Sequence, residues 1–300
     1  MKKFLYLIQG RKINVLKYKD IRSDESDIIS LTFDEEIKTE EFSSITNIFY
    51  PGSTWAEGRN KQFEIAKGLN FKYIYYIFID DDVHFIKGSF KEFEQNLLKY
   101  QPAIGVPLLT IIQSSFRYRP SLKIQNPVAF DTQFQAFHID TINDNILMPL
   151  VTKFDSKSWY YCCEIVNFLI LSYYKGRVIQ FNKIIVDNVG HHWDEENMLS
   201  IDPHSKYIGG VTKDGINEIK QYIIDTYGNQ PQLSNSLFHN DNYRKFIYLP
   251  RGFHFIKTII KYILKLKLRT VKTLIRSYIV NILLYNYPKE LVINEKITEK

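Results

Sequence analysis

The chain has 300 residues, 45% of them hydrophobic and 15% aromatic, with a formal net charge of +6. That content excludes a disordered chain, and the length suits one large α/β domain with an appendage or two modest domains. The two cysteines, Cys162 and Cys163, are adjacent in an apolar stretch, which argues against a disulfide framework and for core packing in a reducing compartment.

In chain order, "MKKFLYLIQGRK" holds five apolar residues before Gln9, fewer than the roughly 7–15 of a signal peptide's apolar region. It is expected to be a first strand, 4–10. No window reaches the roughly 18 uninterrupted apolar residues of a membrane span, so a cytoplasmic protein is expected. "DIISLTFD" (27–34) and "NIFY" (47–50) follow as strands, and "GRNKQFEIAKGL" (58–69) reads as a helix. "YIYYIFIDDDVHF" (73–85) is a further strand that runs into three carboxylates, Asp80, Asp81 and Asp82. In "GSFKEFEQNLLKY", Ser89 is the expected N-cap with Glu92 three residues on, and Phe90, Phe93 and Leu97 share a face. "AIGVPLL" (103–109) returns as a strand. Alternation of this kind predicts a largely parallel α/β sheet in the first 110 residues. Beyond it come a strand in "TQFQAFHID", an apolar helix starting near Glu164 and stopping at Gly176, and a strand in "RVIQFNKIIVDN". Residues 1–227 are expected to form one unit, with halves 1–110 and 111–227, followed by a linker over 228–250.

Between Arg251 and Pro288 stand eight basic residues and no acidic one, so the positive charge belongs to the tail. Lys257, Lys261, Lys265, Arg269, Lys272 and Arg276 recur at helical spacing beside an aliphatic face of Ile256, Ile260, Ile263 and others. A helix of this type lies in the interface of an anionic bilayer. The segment 251–300 is therefore expected to associate with a membrane through 251–286. Nucleic acid is not expected as a partner, because the interleaved residues are aliphatic. A helical hairpin packed on the body is the plainer alternative.

Adjacent carboxylates repel one another, and a hard divalent cation with oxygen ligands offsets that cost. In open parallel sheets ligands bind beyond the carboxyl ends of strands, where the triplet falls. Mg²⁺ or Mn²⁺ with a phosphorylated ligand is expected, against the plain alternative of a solvated acidic loop.

The segment "GSTWAEGRNKQFEIAKGLNFKYIYYIFIDDDV" resembles the family-2-like glycosyltransferases of the GT-A fold. There an Ala-Arg-Asn or similar triplet opens a helix and a later strand ends in an Asp-x-Asp motif. Gly58-Arg59-Asn60 and Asp80-Asp81-Asp82 occupy those places. "CCEIVNFLILSYYKGRVIQFNKIIVDNVGHH" is similar to that family's second half, with Glu164 twelve residues before Gly176. Ile165 and Asn167 stand where the family has further acids. The resemblance covers about residues 1–200. It implies a GT-A, Rossmann-like, mixed and mostly parallel sheet flanked by helices, here with a C-terminal basic amphipathic helical extension.

It also implies an inverting, metal-dependent transferase moving a sugar from a nucleotide-sugar donor to a glycan or lipid-linked acceptor, in lipopolysaccharide- or capsule-type biosynthesis at the inner membrane face. The roles implied are donor binding by Gln9, Gly10, Asp34, Arg59, Asp80 and Asp81, with Arg59 adding a cation near the diphosphate. Metal binding falls to Asp80, Asp82 and one of His191 and His192. Glu164 is the implied general base, with Asp155 in reserve, and Trp159 stacks on an acceptor sugar. His84 reads as packing or hydrogen bonding near the site. Two other classes compete: a haloacid dehalogenase-like phosphatase, whose usual Asp-x-Asp-Gly-Thr continuation is missing here, and a membrane-bound scaffold whose acids merely bind Ca²⁺.

Overall fold

The computed structural model describes residues 2–69, 73–110, 113, 122–125, 127, 132–158, 160–174, 177–188, 213–227, 260 and 263–264. Strand β1 (Phe4–Gly10) is buried along its whole length, as is β2 (Ser26–Thr32). Continuous burial is what a strand covered on both faces requires, and it explains the unbroken apolar runs. They are joined by α1 (Lys12–Val15) and a 3-10 helix (Leu16–Ile21). β3 (Thr46–Phe49) follows, then α2 (Trp55–Gly68), β4 (Tyr75–Asp80), β5 (Val83–Lys87), α3 (Phe90–Tyr100) and β6 (Ile104–Leu109). The second half contributes β7 (Ile124–Gln125), β8 (Phe134–His138), α4 (Ile139–Asn143), α5 (Tyr160–Tyr173), β9 (Val178–Asn188) and α6 (Lys213–Tyr227).

These strands form one mixed sheet in the order β3-β2-β1-β4-β8-β6-β9-β5, with β7 also paired to β9. β3, β2, β1 and β4 are parallel neighbours. β8 lies antiparallel between β4 and β6, β6 and β9 are parallel, and β5 pairs antiparallel with β9. The α/β class and the parallel first half agree with the sequence expectation. The stretch 73–85 differs: it is two strands, because after Asp80 the chain leaves β1 and joins β9 instead. Pro107 cannot donate to a ladder, and the β6–β9 register shifts just after it.

Period-2 alternation gives the sheet two apolar faces. Leu5, Leu7, Ile29 and Phe78 pack with Phe63 and Ala66 of α2 and with Ile165 and Leu169 of α5. Phe4, Tyr6, Ile8, Ile28, Tyr75 and Ile77 pack with Tyr18 and Ile21 of the 3-10 helix and with Phe93 and Leu97 of α3. Cys162 and Cys163 are buried free thiols, as expected.

The connection leaving β1 thus crosses one face and α2, entering β4, crosses the other. The crevice between β1 and β4 is therefore a topological switch point, where open α/β sheets take their ligands. Helix α2 begins three residues before the expected 58, because Thr54 caps it: its hydroxyl accepts from Glu57 N–H at 3.2 Å, and Glu57 Oε2 accepts from Thr54 N–H at 2.9 Å. Helix α5 begins at Tyr160, so Glu164 stands in its second turn and the helix dipole does not account for it. Helix α6, which has no counterpart among the sequence expectations, packs Tyr222 edge-on to Phe154 and pairs Glu218 with Lys157 at 2.7 Å.

Candidate functional site

The acidic turn lies at the carboxyl end of β4, beside the ends of β1 and β2. Its three carboxylates point to three different supports. Asp80 extends the face of Tyr76 and Phe78, toward α2. Arg59 Nη2 donates to its Oδ1 at 2.7 Å, and Trp55 Nε1 donates to both its oxygens at 3.2 Å. Residues 55 and 59 are one helical turn apart on one face. The Arg59 guanidinium stacks over the Trp55 ring at 4.2 Å and lies 5.3 Å from the Phe78 ring centre. Burial pushes the Asp80 carboxyl up to about 6; Arg59 and Trp55 pull it down, and the charge of Asp82 adds to the rise.

Asp81 turns toward the loop after β1. Its Oδ2 accepts from Arg11 N–H at 2.8 Å and from the Asn14 amide at 2.9 Å. Burial raises its carboxyl, and those two donors oppose the rise. Gly10 makes this approach possible, since a Cβ there would sit 2.0 Å from Asp81 Cγ. Asp82 faces the end of β9, where Asn188, its amide nitrogen turned to the carboxylate, donates to Oδ2 at 2.6 Å. Asn188 reaches this place because it pairs with Val83.

Asp34 is exposed just past β2 and bridges two loops, accepting from Lys12 N–H at 2.9 Å and Glu35 N–H at 2.8 Å. Asp34, Gly10 and the triplet are thus gathered at one edge, as the sequence suggests. Three of the expected residues are placed as follows. Arg59 is 2% exposed and its charge is engaged by Asp80, so it holds the turn. Gln9 is 6% exposed and lies against Gly58, where an added Cβ would come within 2.7 Å of its amide, so it supports α2. His84 is exposed on β5 in register with Asp187.

The base candidates sit differently. Asp155 is joined to the start of α2 by a short hydrogen bond from the Thr54 hydroxyl, and burial raises its carboxyl. Glu164 keeps an exposed side chain, yet partial desolvation of its carboxyl raises it, and it has no hydrogen-bond partner among the described residues. The start of α5 passes close to the Arg59–Asp80 pair, whose charges act on the Cys163 thiol. Trp159, His191 and His192 lie outside the described residues.

Trp55, Tyr18, Asn14 and Asn188 belong to the site without having been singled out in the sequence. Only Trp55 carried a signal, its i, i+4 relation to Arg59. The donors are carboxylate oxygens, which suit Mg²⁺ or Mn²⁺. Among the described residues no group of three or more His, Cys, Asp or Glu converges on one point. Asp80 and Asp82 supply two carboxylates, and further ligands have to come from elsewhere in the chain or from phosphate oxygens.

The fold and site define a mixed α/β protein with a switch-point crevice over an acidic turn. No protein-family model matches the chain, and no curated protein matches it in sequence. Among solved structures, residues 1–349 of Staphylococcus aureus TarS are similar over 75% of this chain and 72% of that one, at 10% identity and a TM-score of 0.46. TarS in complex with UDP-GlcNAc is similar over 75% and 73%, at 11% identity and a TM-score of 0.41. The Streptococcus pneumoniae glycosyltransferase GlyE is similar over 60% of this chain and 45% of that one, at 10% identity and a TM-score of 0.32.

Proposed function

We propose that the chain is a metal-dependent, inverting glycosyltransferase that moves a sugar from a nucleotide-sugar donor to an acceptor hydroxyl. The observation that carries this reading is the placement of Asp80, Asp81 and Asp82 with Gly10 and Asp34 along one sheet edge at the β1–β4 switch point. A donor lying across those strand ends places its nucleoside beside Asp34 and the loop after β1, and its diphosphate beside the acidic turn. Asp80 and Asp82 would hold Mn²⁺ or Mg²⁺, with His191 or His192 as a further ligand. When bound, the cation supplies charge that neutralises a departing nucleoside diphosphate. Arg59 and Trp55 keep Asp80 aimed.

Glu164 or Asp155 would take the proton from the acceptor hydroxyl as its oxygen attacks the anomeric carbon, and a single displacement inverts that centre. Trp159 would stack on an acceptor sugar. No helix among the described residues is long and apolar enough to cross a membrane. The basic tail, 251–286, would instead hold the protein on the inner, anionic membrane face, at about 1 kcal/mol per basic residue near the surface. That placement suits a lipid-linked acceptor of a surface glycan such as lipopolysaccharide or capsule.

The test is calorimetric titration of nucleoside diphosphates, UDP among them, with and without Mn²⁺, into wild type and Asp82→Asn. One nucleotide should bind in the presence of Mn²⁺, and Asp82→Asn should weaken it at least about tenfold, about 1.4 kcal/mol. Mn²⁺ binding with no nucleotide binding would favour the scaffold. Turnover of a phosphate monoester would favour the phosphatase, whose nucleophilic aspartate is here ion-paired to Arg59.

A further inference from the structure

The support under the acidic turn comes from a residue that lies far from it in sequence. Tyr18, in the 3-10 helix, has one hydroxyl proton and places it between two carbonyls. Its oxygen is 2.9 Å from Val83 O and 3.2 Å from Asp80 O. Those are the carbonyls immediately flanking Asp81 and Asp82. The ring is buried and meets Phe90 edge-on at 6.1 Å, and Phe90 in turn meets Phe85 at 4.7 Å. The hydroxyl is thus located by fixed aromatic packing and not by a mobile side chain. Arg11 and Asn14 grip Asp81 from the same segment. Residues 11, 14 and 18 are spaced i, i+3, i+7, steps of three and four that keep to one side of the segment. One short segment therefore holds the turn both by a side chain and by its backbone.

We infer that Tyr18 is a positioning residue that sets the direction of Asp82 toward a metal-bound nucleotide diphosphate. The inference rests on the glycosyltransferase reading above. Asp80 has Arg59 and Trp55 to aim it, and Asp81 has the loop after β1. The direction of Asp82 follows in part from Asn188 and in part from the backbone between Asp80 and Val83, which Tyr18 clamps. A phenol is protonated at neutral pH, so it acts as a donor to both carbonyls.

Tyr18→Phe removes one oxygen and keeps the ring. Tyr6→Phe is the matched control, because Tyr6 is buried on the same face but donates to Glu94, away from the turn. Nucleoside diphosphate affinity is measured by calorimetry for wild type and both variants, in Mn²⁺ and in EDTA, with Tm recorded for each. Tyr18→Phe should weaken binding in Mn²⁺ about tenfold, leave binding in EDTA unchanged and lower Tm by about a few degrees. Tyr6→Phe should lower Tm similarly and keep the wild-type ratio of the two affinities. If wild type binds with Mn²⁺ and Tyr18→Phe keeps its ratio, the positioning role is overturned and the transferase reading stands. If wild type shows no Mn²⁺-dependent nucleotide binding, both are overturned.

Discussion

The Arg59–Asp80 pair is the part of the site whose energetics are most open to a decisive measurement in the metal-free protein. Arg59 is 2% exposed, while the Asp80 side chain keeps 24% of its surface. Removing one member of a buried ion pair costs about 3–5 kcal/mol, mostly because the other charge is left uncompensated. Partial exposure of Asp80 lets water recover some of that, so Arg59→Met should cost about 3 kcal/mol. Loss of the stack on Trp55, 4.2 Å away, adds about 0.5–1 kcal/mol. Asp80→Asn leaves a buried guanidinium with an amide for a partner and should cost about 2–3 kcal/mol. The double variant leaves no lone charge. It should therefore be no less stable than Arg59→Met, a departure from additivity of about 2–3 kcal/mol. The assay is urea unfolding followed by far-UV circular dichroism on all four proteins, with a Tm drop of about 2–4 °C per kcal/mol as a check. Additivity within about 0.5 kcal/mol would mean that the two side chains do not share an energetic unit, and the account of how Asp80 is aimed would fail.

Two glycines near the site should respond differently to alanine. Gly10→Ala drives a methyl into Asp81 Cβ and Cγ, which cannot swing away, whereas Gly58→Ala meets only the end of the Gln9 side chain. Gly10→Ala should cost about 1–3 kcal/mol and weaken nucleotide binding, with Gly58→Ala clearly milder in both; equal effects in urea titrations and calorimetry would count against the packing described. Asp144, which accepts from Ile146 N–H and from the Tyr174 hydroxyl, has its carboxyl pushed by burial up to about 7. A carboxyl raised in the fold contributes stability below its ordinary value and loses it as pH climbs through the folded value. Wild type should accordingly lose Tm between about pH 4 and pH 7 relative to Asp144→Asn and run parallel to it above about pH 8, and parallel Tm curves across the lower window would refute this. Of Glu164→Gln and Asp155→Asn, the one that removes the base should lower kcat about 10²–10⁴-fold with donor affinity kept. Asp155→Asn should in addition destabilise α2, because it alters the partner of the capping Thr54. Equal kcat for both variants and wild type would exclude both as the base.

Legibility in the sequence followed the physics of each feature. β1 matched its expected bounds, Phe4–Gly10, because a doubly covered parallel strand writes itself as an apolar run. The α3 N-cap was equally plain, since Ser89 accepts from Glu92 N–H at 3.2 Å within four residues of chain. Boundaries set by tertiary partners were less plain. β4 ends at Asp80 because Val83 onward pairs with β9, a strand nearly a hundred residues later. The start of α2 is less legible because Thr54 and Glu57 form a capping box ahead of the Gly58-Arg59-Asn60 stretch.

The acidic triplet shows why a site can be found in a sequence and still be misread there. Three identical neighbours suggest one shared task, but a strand delivers successive side chains in different directions. Asp80 continues the face of Phe78, so its meeting with Arg59 follows from alternation once α2 is known to cover that face. The directions of Asp81 and Asp82 are fixed past the strand's end, by Asn14 and Asn188. Neither asparagine has a local pattern that marks it, because the spacing that matters is across the sheet edge and not along the chain. The same holds for Tyr18, 65 residues from the carbonyl it holds. Carboxylates at a strand end can thus be recognised from composition and order alone, while the side chains that aim them become visible only when the sheet brings distant segments together.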